Sequence, residues 1–311
     1  MDRELELGPK TAASVTDRQL LWVDMVVTGE PAESPIPLEW LPFDAAEMAR
    51  AWAAPAVPRL TVHGDYFLAR LVVLRNERGR DVPETLDLAV GKNVVLTAHR
   101  KAIPFLVELN GRITADTSLG QIDSADFASV LLDGVITGYL EMTDEILARV
   151  DELDGEALKS SGGRDLLSEL VALRHRIAAT RRALVAHRSV MVAIAGVDFE
   201  VLTSAEAGPR FAGVTERFDG AVDAIDAARE ALIGTFDIHM SRTAQRTNDV
   251  MKILTITSVL LLPTGVIAGF MGMNIHPPYS NDDPAIFWYV VAIIVITAIG
   301  TLVVLRLRRW L

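Results

Sequence analysis

The stretch "MKILTITSVLLLPTGVIAGFMGM", residues 251–273, carries a single charge, that of Lys252 near its start. As a helix it would be roughly 34 Å long at 1.5 Å per residue, and a bilayer core of about 30 Å requires about 20 residues. A second uncharged run, "AIFWYVVAIIVITAIGTLVVL" at 285–305, has a similar length. Two such runs in succession are difficult to bury in a soluble core, so we predict two transmembrane helices.

Basic residues predict the orientation of these helices. Lys252 precedes the first run and the tail 306–311 is basic, whereas the connecting loop 274–284 has no Lys or Arg and carries Asp282 and Asp283. Basic residues concentrate on the cytoplasmic side of membrane proteins. We therefore predict a multi-pass protein of the inner or plasma membrane, with both termini in the cytoplasm and the loop outside.

The remainder of the chain is acidic. The whole chain has a net charge of −11, and this acidic balance comes from residues 1–249, which hold nearly all the Asp and Glu. An acidic chain with few aromatic residues argues against a nucleic-acid partner. The absence of cysteine excludes disulfides and thiolate metal sites. No Ser-His-Asp order, phosphate loop or metalloprotease spacing occurs, so we expect no enzymatic activity.

Residues 1–120 predict a cytoplasmic α/β domain. Three segments at 20–27, 59–75 and 85–100 are rich in strand-forming residues, and the last has the pattern of a hairpin. The segment 37–55, between the first two, has a helical pattern. These alternations indicate an α+β domain with an αβα-like arrangement.

Helices are predicted from 121 onwards. Residues 123–156 hold ten acids and one base, and 164–188 hold six arginines against two acids, with "SSGG" at 160–163 between them. Opposite charges favour an antiparallel hairpin over 121–209, in which the charges set the register. A third helix starts near 210, forms a stalk over 210–250 and continues into the first span. A helix exceeding 60 residues needs partners along its length, which indicates a bundle or an oligomer.

One face of the first predicted span is lined by small residues in its outer half. Spacings of three and four place a stripe of residues on this face: Asn248, Met251, Leu254, Ser258, Leu262, Gly265, Gly269 and Gly272. Small residues allow close helix packing, but they also suit a narrow pore in which carbonyls and small polar groups meet a hydrated ion. Pro263 frees the carbonyl of Val259, either for the same environment or for a kink.

The segment 248–274, which ends in the tripeptide "GMN" and precedes a short loop and one further span, resembles the CorA magnesium-transporter family. Weaker similarity extends through "WVD" at 22–24 and "GKNVVLTAHR" at 91–100. The resemblance implies a homopentamer with a cytoplasmic αβα domain, long stalk helices and a central path for Mg²⁺. The partners it implies are further copies of the chain, the bilayer and divalent cations.

The resemblance also implies residue roles. Gly272, Met273 and Asn274 would form the selectivity element, with a ring of Asn274 amides at the outer mouth. Because Mg²⁺ dehydrates reluctantly, neutral amide oxygens suit it: they hold its water shell without binding it too tightly for conduction. Asn248 matches the family's inner polar ring, and Met251 and Leu254 lie at its hydrophobic constriction.

Acidic residues are the other candidates. Asp282 and Asp283 would attract cations to the outer mouth. Glu216, Asp219 and Asp223, on the first turns of the stalk, are candidates for a regulatory Mg²⁺ site between subunits, where a bound ion would favour a closed state.

Three alternatives remain open from the sequence. His276 would favour Co²⁺, Ni²⁺ or Zn²⁺ if it were a ligand. A proton-coupled transporter of zinc or another transition metal would share this fold, although the "GMN" triplet argues against zinc. A membrane-anchored coiled-coil scaffold would explain the long helix but not the glycine stripe. The remaining histidines are expected at the surface or at interfaces: His63, His99, His175, His187 and His239.

Overall fold

The structure is a computed structural model of the chain. The residues that it describes are 20–27, 41–77, 80–115, 123–158, 164–196, 207–272 and 285–307. The chain divides into two compact units, Met1–Phe236 and Asp237–Leu311. The predicted break at 160–163 lies outside the described residues.

The first unit contains a five-stranded mixed sheet with strand order β1-β5-β4-β3-β2. β1 is parallel to β5, and all other neighbours are antiparallel. The segment predicted as one strand-rich stretch over 59–75 reverses at Gly64–Asp65, and the predicted hairpin over 85–100 begins earlier, at Arg80. The strands are β1 Leu21–Val26, β2 Arg59–His63, β3 Tyr66–Glu77, β4 Arg80–Gly91 and β5 Val94–His99.

Helices cover both faces of this sheet, as the αβα-like prediction requires. α1, Ala45–Ala53, begins at Asp44, whose carboxylate accepts from the backbone N–H groups of Ala46 and Glu47. These two hydrogen bonds lower the pKa of Asp44. α1 closes one core with the sheet, in which the largest buried side chains include Met48, Phe43 and Leu96.

The opposite face carries α2, Pro104–Ala115, and the helical hairpin. The hairpin consists of α3, Ser124–Leu158, and α4, Arg164–Ala186. Arg149 on α3 pairs with Glu169 on α4, and Arg176 on α4 donates to Glu145 on α3 at 2.9 Å. The second pair follows the predicted attraction of a basic helix to an acidic one, whereas the first joins the one base of the acidic helix to an acid of the basic helix.

The expectation that His187 lies at a surface or interface is wrong for the described chain. The helical pattern predicted over 164–188 breaks at this residue, between α4 and α5, Arg188–Gly196, and His187 is 1% exposed. Its Nδ1 lies 2.8 Å from the Ala183 carbonyl, and its Nε2 accepts from the Val72 N–H at 3.0 Å. Burial lowers the pKa of His187 to about 4, so the ring is neutral in the folded protein.

His99 is also buried, contrary to the same expectation. Its Nε2 lies 3.2 Å from the Asp24 carboxylate, and its Nδ1 lies 2.8 Å from the Lys101 carbonyl. Burial opposes protonation of this ring, but the hydrogen bond and charge of Asp24 outweigh it and raise the pKa of His99. The pair links β1 to β5 across the parallel edge of the sheet.

Tyr139 completes the environment of Val72. Its hydroxyl donates to the Val72 carbonyl at 2.8 Å, and its ring lies edge-on to His187 at 5.7 Å. Val72 lies in the part of β3 that runs beyond its pairing with β2, which ends at the pair Arg59–Arg70. The side chains of His187 and Tyr139 therefore form the hydrogen bonds of the Val72 backbone at a position that β2 does not reach.

The prediction of a continuous helix exceeding 60 residues is confirmed. α6 extends over Ala207–Gly272, 66 residues, without interruption at Pro263. α7 follows over Ala285–Leu307. Among the described residues, Pro209–Phe270 is the one helix whose length and composition suffice to cross a membrane, with a mean hydropathy of 2.0 in its apolar part, and Trp288–Val304 is a shorter apolar helix.

Candidate functional site

The predicted pore stripe lies on one face of α6. Every member of the stripe that the structure describes is exposed in the single chain. The large side chains are the most informative: Met251 is 55% exposed, Leu254 60% and Leu262 67%. The structure therefore brings the predicted residues together as a continuous uncovered face.

The face opposite this stripe is covered within the second unit. Half-buried residues recur along α6 at spacings of three and four, namely Lys252, Ile256, Leu260, Pro263, Thr264 and Ile267. At 3.6 residues per turn, their mean direction is roughly 180° from that of the stripe. α7 carries a similar half-buried series, Val291, Ile294, Ala298 and Thr301. These series are what two helices show when they pack through one face each, and that packing leaves the stripe free.

The outer half of the stripe is bare. An added Cβ at Gly265, Gly269 or Gly272 would meet no other atom within 4 Å. Among the described residues, then, no neighbouring atom requires these positions to be glycine. The same space would allow a closely packed neighbour or an open path.

Hydroxyl groups near the middle of the span are bonded to their own helix. Ser258, a stripe residue, donates to the Leu254 carbonyl at 2.8 Å, and Thr255 donates to the Met251 carbonyl at 2.8 Å. A hydroxyl that donates in this way keeps oxygen lone pairs for other partners. Ser258 can therefore offer an acceptor, but no free donor, to the face on which it lies, as suits a cation rather than an anion.

The outer end of the predicted site is only partly described. Gly272 is the last residue of α6. Met273, Asn274, His276, Asp282 and Asp283 lie outside the described residues. Their predicted roles remain predictions.

The three candidate regulatory acids are exposed on α6. Glu216, Asp219 and Asp223 share one face at spacings of three and four, and Asp219 lies 3.4 Å from Arg188. No group of three or more His, Asp or Glu residues that could hold a metal ion occurs within the described part of the chain. A regulatory site built from these acids would therefore need ligands from elsewhere, as the predicted site between subunits would have.

The uncovered face extends further towards the N-terminus of α6 than the sequence analysis indicated. Ile233, Phe236 and Met240 are 49%, 39% and 50% exposed and continue the same spacing upstream of Asn248. Their spacing of three and four could have indicated this face from the sequence. The charged residues that lie between them lower the mean hydropathy of the segment and conceal the pattern. Apolar side chains thus line the exposed face of α6 well before the membrane span begins.

The architecture defines a class of protein: a mixed α/β domain, one very long helix and an apolar C-terminal helix. It superposes on full-length CorA from Methanocaldococcus jannaschii with a TM-score of 0.82 and 20% identity, covering 96% of this chain and 93% of that one. The full-length CmaX protein matches with a TM-score of 0.72 and 18% identity, covering 100% and 93%. At these identities the likeness shows the fold alone.

The sequence gives the family. The CorA-like Mg²⁺ transporter family model matches residues 17–309, so this chain belongs to that family. The cobalt/magnesium transport protein CorA of Thermotoga maritima is 25% identical over 234 residues, which cover 73% of this chain and 65% of that protein. The protein of the same name from M. jannaschii is 23% identical over 264 residues, covering 82% and 80%. The chain thus spans less than two thirds of the T. maritima relative.

Proposed function

We propose that this protein conducts divalent metal cations, with Mg²⁺ as the main cargo, across a membrane through a path at the centre of a homopentamer. The observation that carries the proposal is the stripe on α6, which is exposed, small in its outer half and opposite the face covered within the chain. Family membership supports the same reading. The GMN triplet begins at Gly272, which is also the last residue of the stripe.

Five copies would each contribute one stripe to the path. Asn248 would form an inner polar ring, and Met251 and Leu254 a constriction that closes by losing water. Asn274 would form the outer ring. Its amide oxygens are neutral acceptors, so five of them could order the water shell of Mg²⁺ and still release the ion.

Gating would follow from the acidic cytoplasmic part. Acids on neighbouring copies repel one another, and bound divalent ions would relieve that repulsion and favour one state. Glu216, Asp219 and Asp223 are the residues we propose for it. In this orientation the first unit and both termini would be cytoplasmic, with Asp282 and Asp283 attracting cations at the outer side.

The decisive experiment measures Mg²⁺ uptake by cells that lack their own transporters. Asn274→Ala removes the proposed amide ring and should reduce uptake steeply, while membrane insertion and oligomer mass stay unchanged. Asn281→Ala is the matched control, because it removes the same side chain from the same predicted loop but outside the triplet. Normal uptake by inserted Asn274→Ala would refute the proposed ring.

Flux into liposomes separates the proposed channel from the alternatives. A channel predicts flux that is indifferent to a pH gradient, whereas coupling to protons predicts dependence on it. A scaffold without transport activity predicts no cation flux. Native mass spectrometry of the same preparation should give a pentamer, and a monomer or dimer would count against the shared path.

A further inference from the structure

A groove of about 450 Å³ lies between α4 and α6 within the first unit. Its floor is apolar and includes Leu170, Ile177 and Leu232, which are all buried. Its rim carries four arginines, three from α4 and one from α6. The volume falls in the range of small-molecule sites, and an apolar lining with a few converging polar groups is their usual composition.

Most of the positive charge at this rim is uncompensated. Arg181 donates to Asp226 at 2.5 Å and lowers the pKa of that carboxyl. Arg174, Arg182 and Arg229 are exposed, and none of them makes an ion pair with another described residue. The charge of Arg229 also acts on Asp226, but three guanidinium groups without an ion-pair partner at one groove form a local site for anions in a chain with a net charge of −11. Their planar fork of donors matches phosphate oxygens.

The rest of the rim is apolar and open. Val171 is 44% exposed, Ile233 49% and Phe236 39%. The accessible ring of Phe236 provides a surface on which a planar group such as a nucleobase can stack. The groove therefore offers two different surfaces, one for several negative charges and one for a flat apolar body.

We propose that this groove binds a nucleoside polyphosphate. Arg174, Arg182 and Arg229 hold the phosphates, and the base lies against Phe236 and Ile233. Three guanidinium groups favour a ligand with several negative charges over a single carboxylate. Because the charge is confined to one groove of an acidic protein, the ligand is a small molecule and not a nucleic acid. Ile233 and Phe236 also continue the uncovered face of α6, so the groove adjoins the face that the proposed pentamer uses.

Calorimetric titration of ATP into the full-length protein in lipid nanodiscs tests the site, with EDTA present so that the nucleotide is free of metal. We expect saturable micromolar binding. Arg182→Gln and Arg229→Gln should each weaken binding roughly tenfold, since each removes a charge-assisted hydrogen bond. Arg112→Gln is the matched control, because Arg112 is also an exposed arginine but lies on α2, outside this groove. It should change the affinity less than twofold.

Two further titrations test the two halves of the groove. Inorganic tripolyphosphate should bind more weakly than ATP, and Phe236→Ala should reduce ATP binding to the level of tripolyphosphate. Equal binding of both by the parent protein would overturn the base site. Absence of saturable ATP binding, or equal loss in Arg112→Gln, would overturn the proposal entirely. A changed oligomer mass in Arg182→Gln would instead make the groove an interface between copies, which would also overturn it.

Discussion

The two halves of α6 differ in what covers them. From Phe211 to Thr235 the helix buries a continuous face, which comprises Phe211, Val214, Phe218, Ala221, Ile225, Ala228, Leu232 and Thr235. Over 241–250 every residue is exposed, and none is buried from there to Phe270. Along its first half α6 thus buries a face against the rest of its own chain, whereas along its second half the described residues are at most half-buried.

This difference locates the missing partners. Exposure of Ile253, Leu261 and Phe270, which lie off the stripe, to water would be unfavourable, but lipid tails solvate such side chains without cost. Lipid cannot explain the stretch 241–250, because that stretch is polar. A helix that is polar all round needs other contacts to be stable, and further copies of α6 are the partners that the proposed pentamer supplies.

The largest expected effect separates the two halves directly. Phe218→Ala should lower the free energy of unfolding by about 3–5 kcal/mol, because the ring is 1% exposed and its removal leaves a cavity. Leu262→Ala should change it by less than about 0.5 kcal/mol, because that side chain is 67% exposed. Urea denaturation of the two variants in detergent, followed by circular dichroism, makes the comparison. Equal losses of unfolding free energy in the two variants would mean that both halves of α6 are covered to the same extent.

A pair of glycines sharpens the same comparison. A Cβ at Gly134 of α3 would lie 2.6 Å from the Phe105 ring, whereas a Cβ at Gly269 would meet nothing within 4 Å. Gly134→Ala should therefore destabilise the first unit by up to about 3 kcal/mol through overpacking. Gly269→Ala should leave stability unchanged but alter oligomer mass or ion flux. Thermal melting measures the first effect, and native mass spectrometry with liposome flux measures the second.

The pH dependence of stability tests the α/β domain alone. His187 has a pKa lowered to about 4 by burial, against 6.5 in the unfolded chain. Between these values the unfolded chain binds a proton that the folded protein does not, so stability present above pH 6.5 is lost as the pH falls towards 4. At pH 5.5 the loss from this residue should be on the order of 1 kcal/mol.

His187→Gln should reduce the loss of stability on acidification. The melting temperatures of this variant and of the parent protein, each measured at pH 7 and at pH 5.5, give the contribution of His187. His99 acts in the opposite direction. Because its pKa is raised, its contribution is present below its unfolded pKa and is lost as the pH rises through the folded value. A parent and a His187→Gln variant with the same acid slope would contradict the assignment.

The smallest effect concerns how α6 is held against α3. Arg217 on α6 pairs with Asp133 and donates to Thr137 at 3.1 Å, but its side chain is 45% exposed. Exposed pairs contribute about 0–1 kcal/mol. Arg217→Gln should therefore cost less than about 1 kcal/mol in urea denaturation, and less still in concentrated salt. A loss as large as that of Phe218→Ala would show that charge, and not apolar burial, covers the first half.

Local sequence patterns predicted those secondary-structure elements whose formation depends on nearby residues. The charge reversal between 123–156 and 164–188 predicted the hairpin, and the absence of stop signals predicted the continuous α6. The stripe on α6 followed from spacing alone. The turn at Gly64–Asp65 was missed, although a Gly-Asp pair between two strand-like runs is a hairpin signal.

Contacts between distant residues could not be read from the sequence. Nothing near His187 indicates that its ring accepts from Val72, 115 positions away. Arg70 is similarly hidden: it is buried with Asp87, to which it donates twice, at 2.6 and 2.7 Å. The tertiary structure determines both environments, so these polar residues carried the same signal in the sequence as any surface residue.

The arrangement around Val72 has a consequence for how such domains behave side by side. An unpaired strand edge is a template on which another chain can add a strand, and that is a route to aggregation. In this domain the Val72 N–H donates to the imidazole of His187, and the Val72 carbonyl accepts from the hydroxyl of Tyr139. Neither backbone group is available to an incoming strand. This part of β3 is therefore closed to an added strand, and strand addition to the sheet is left to its edge strands, β1 and β2.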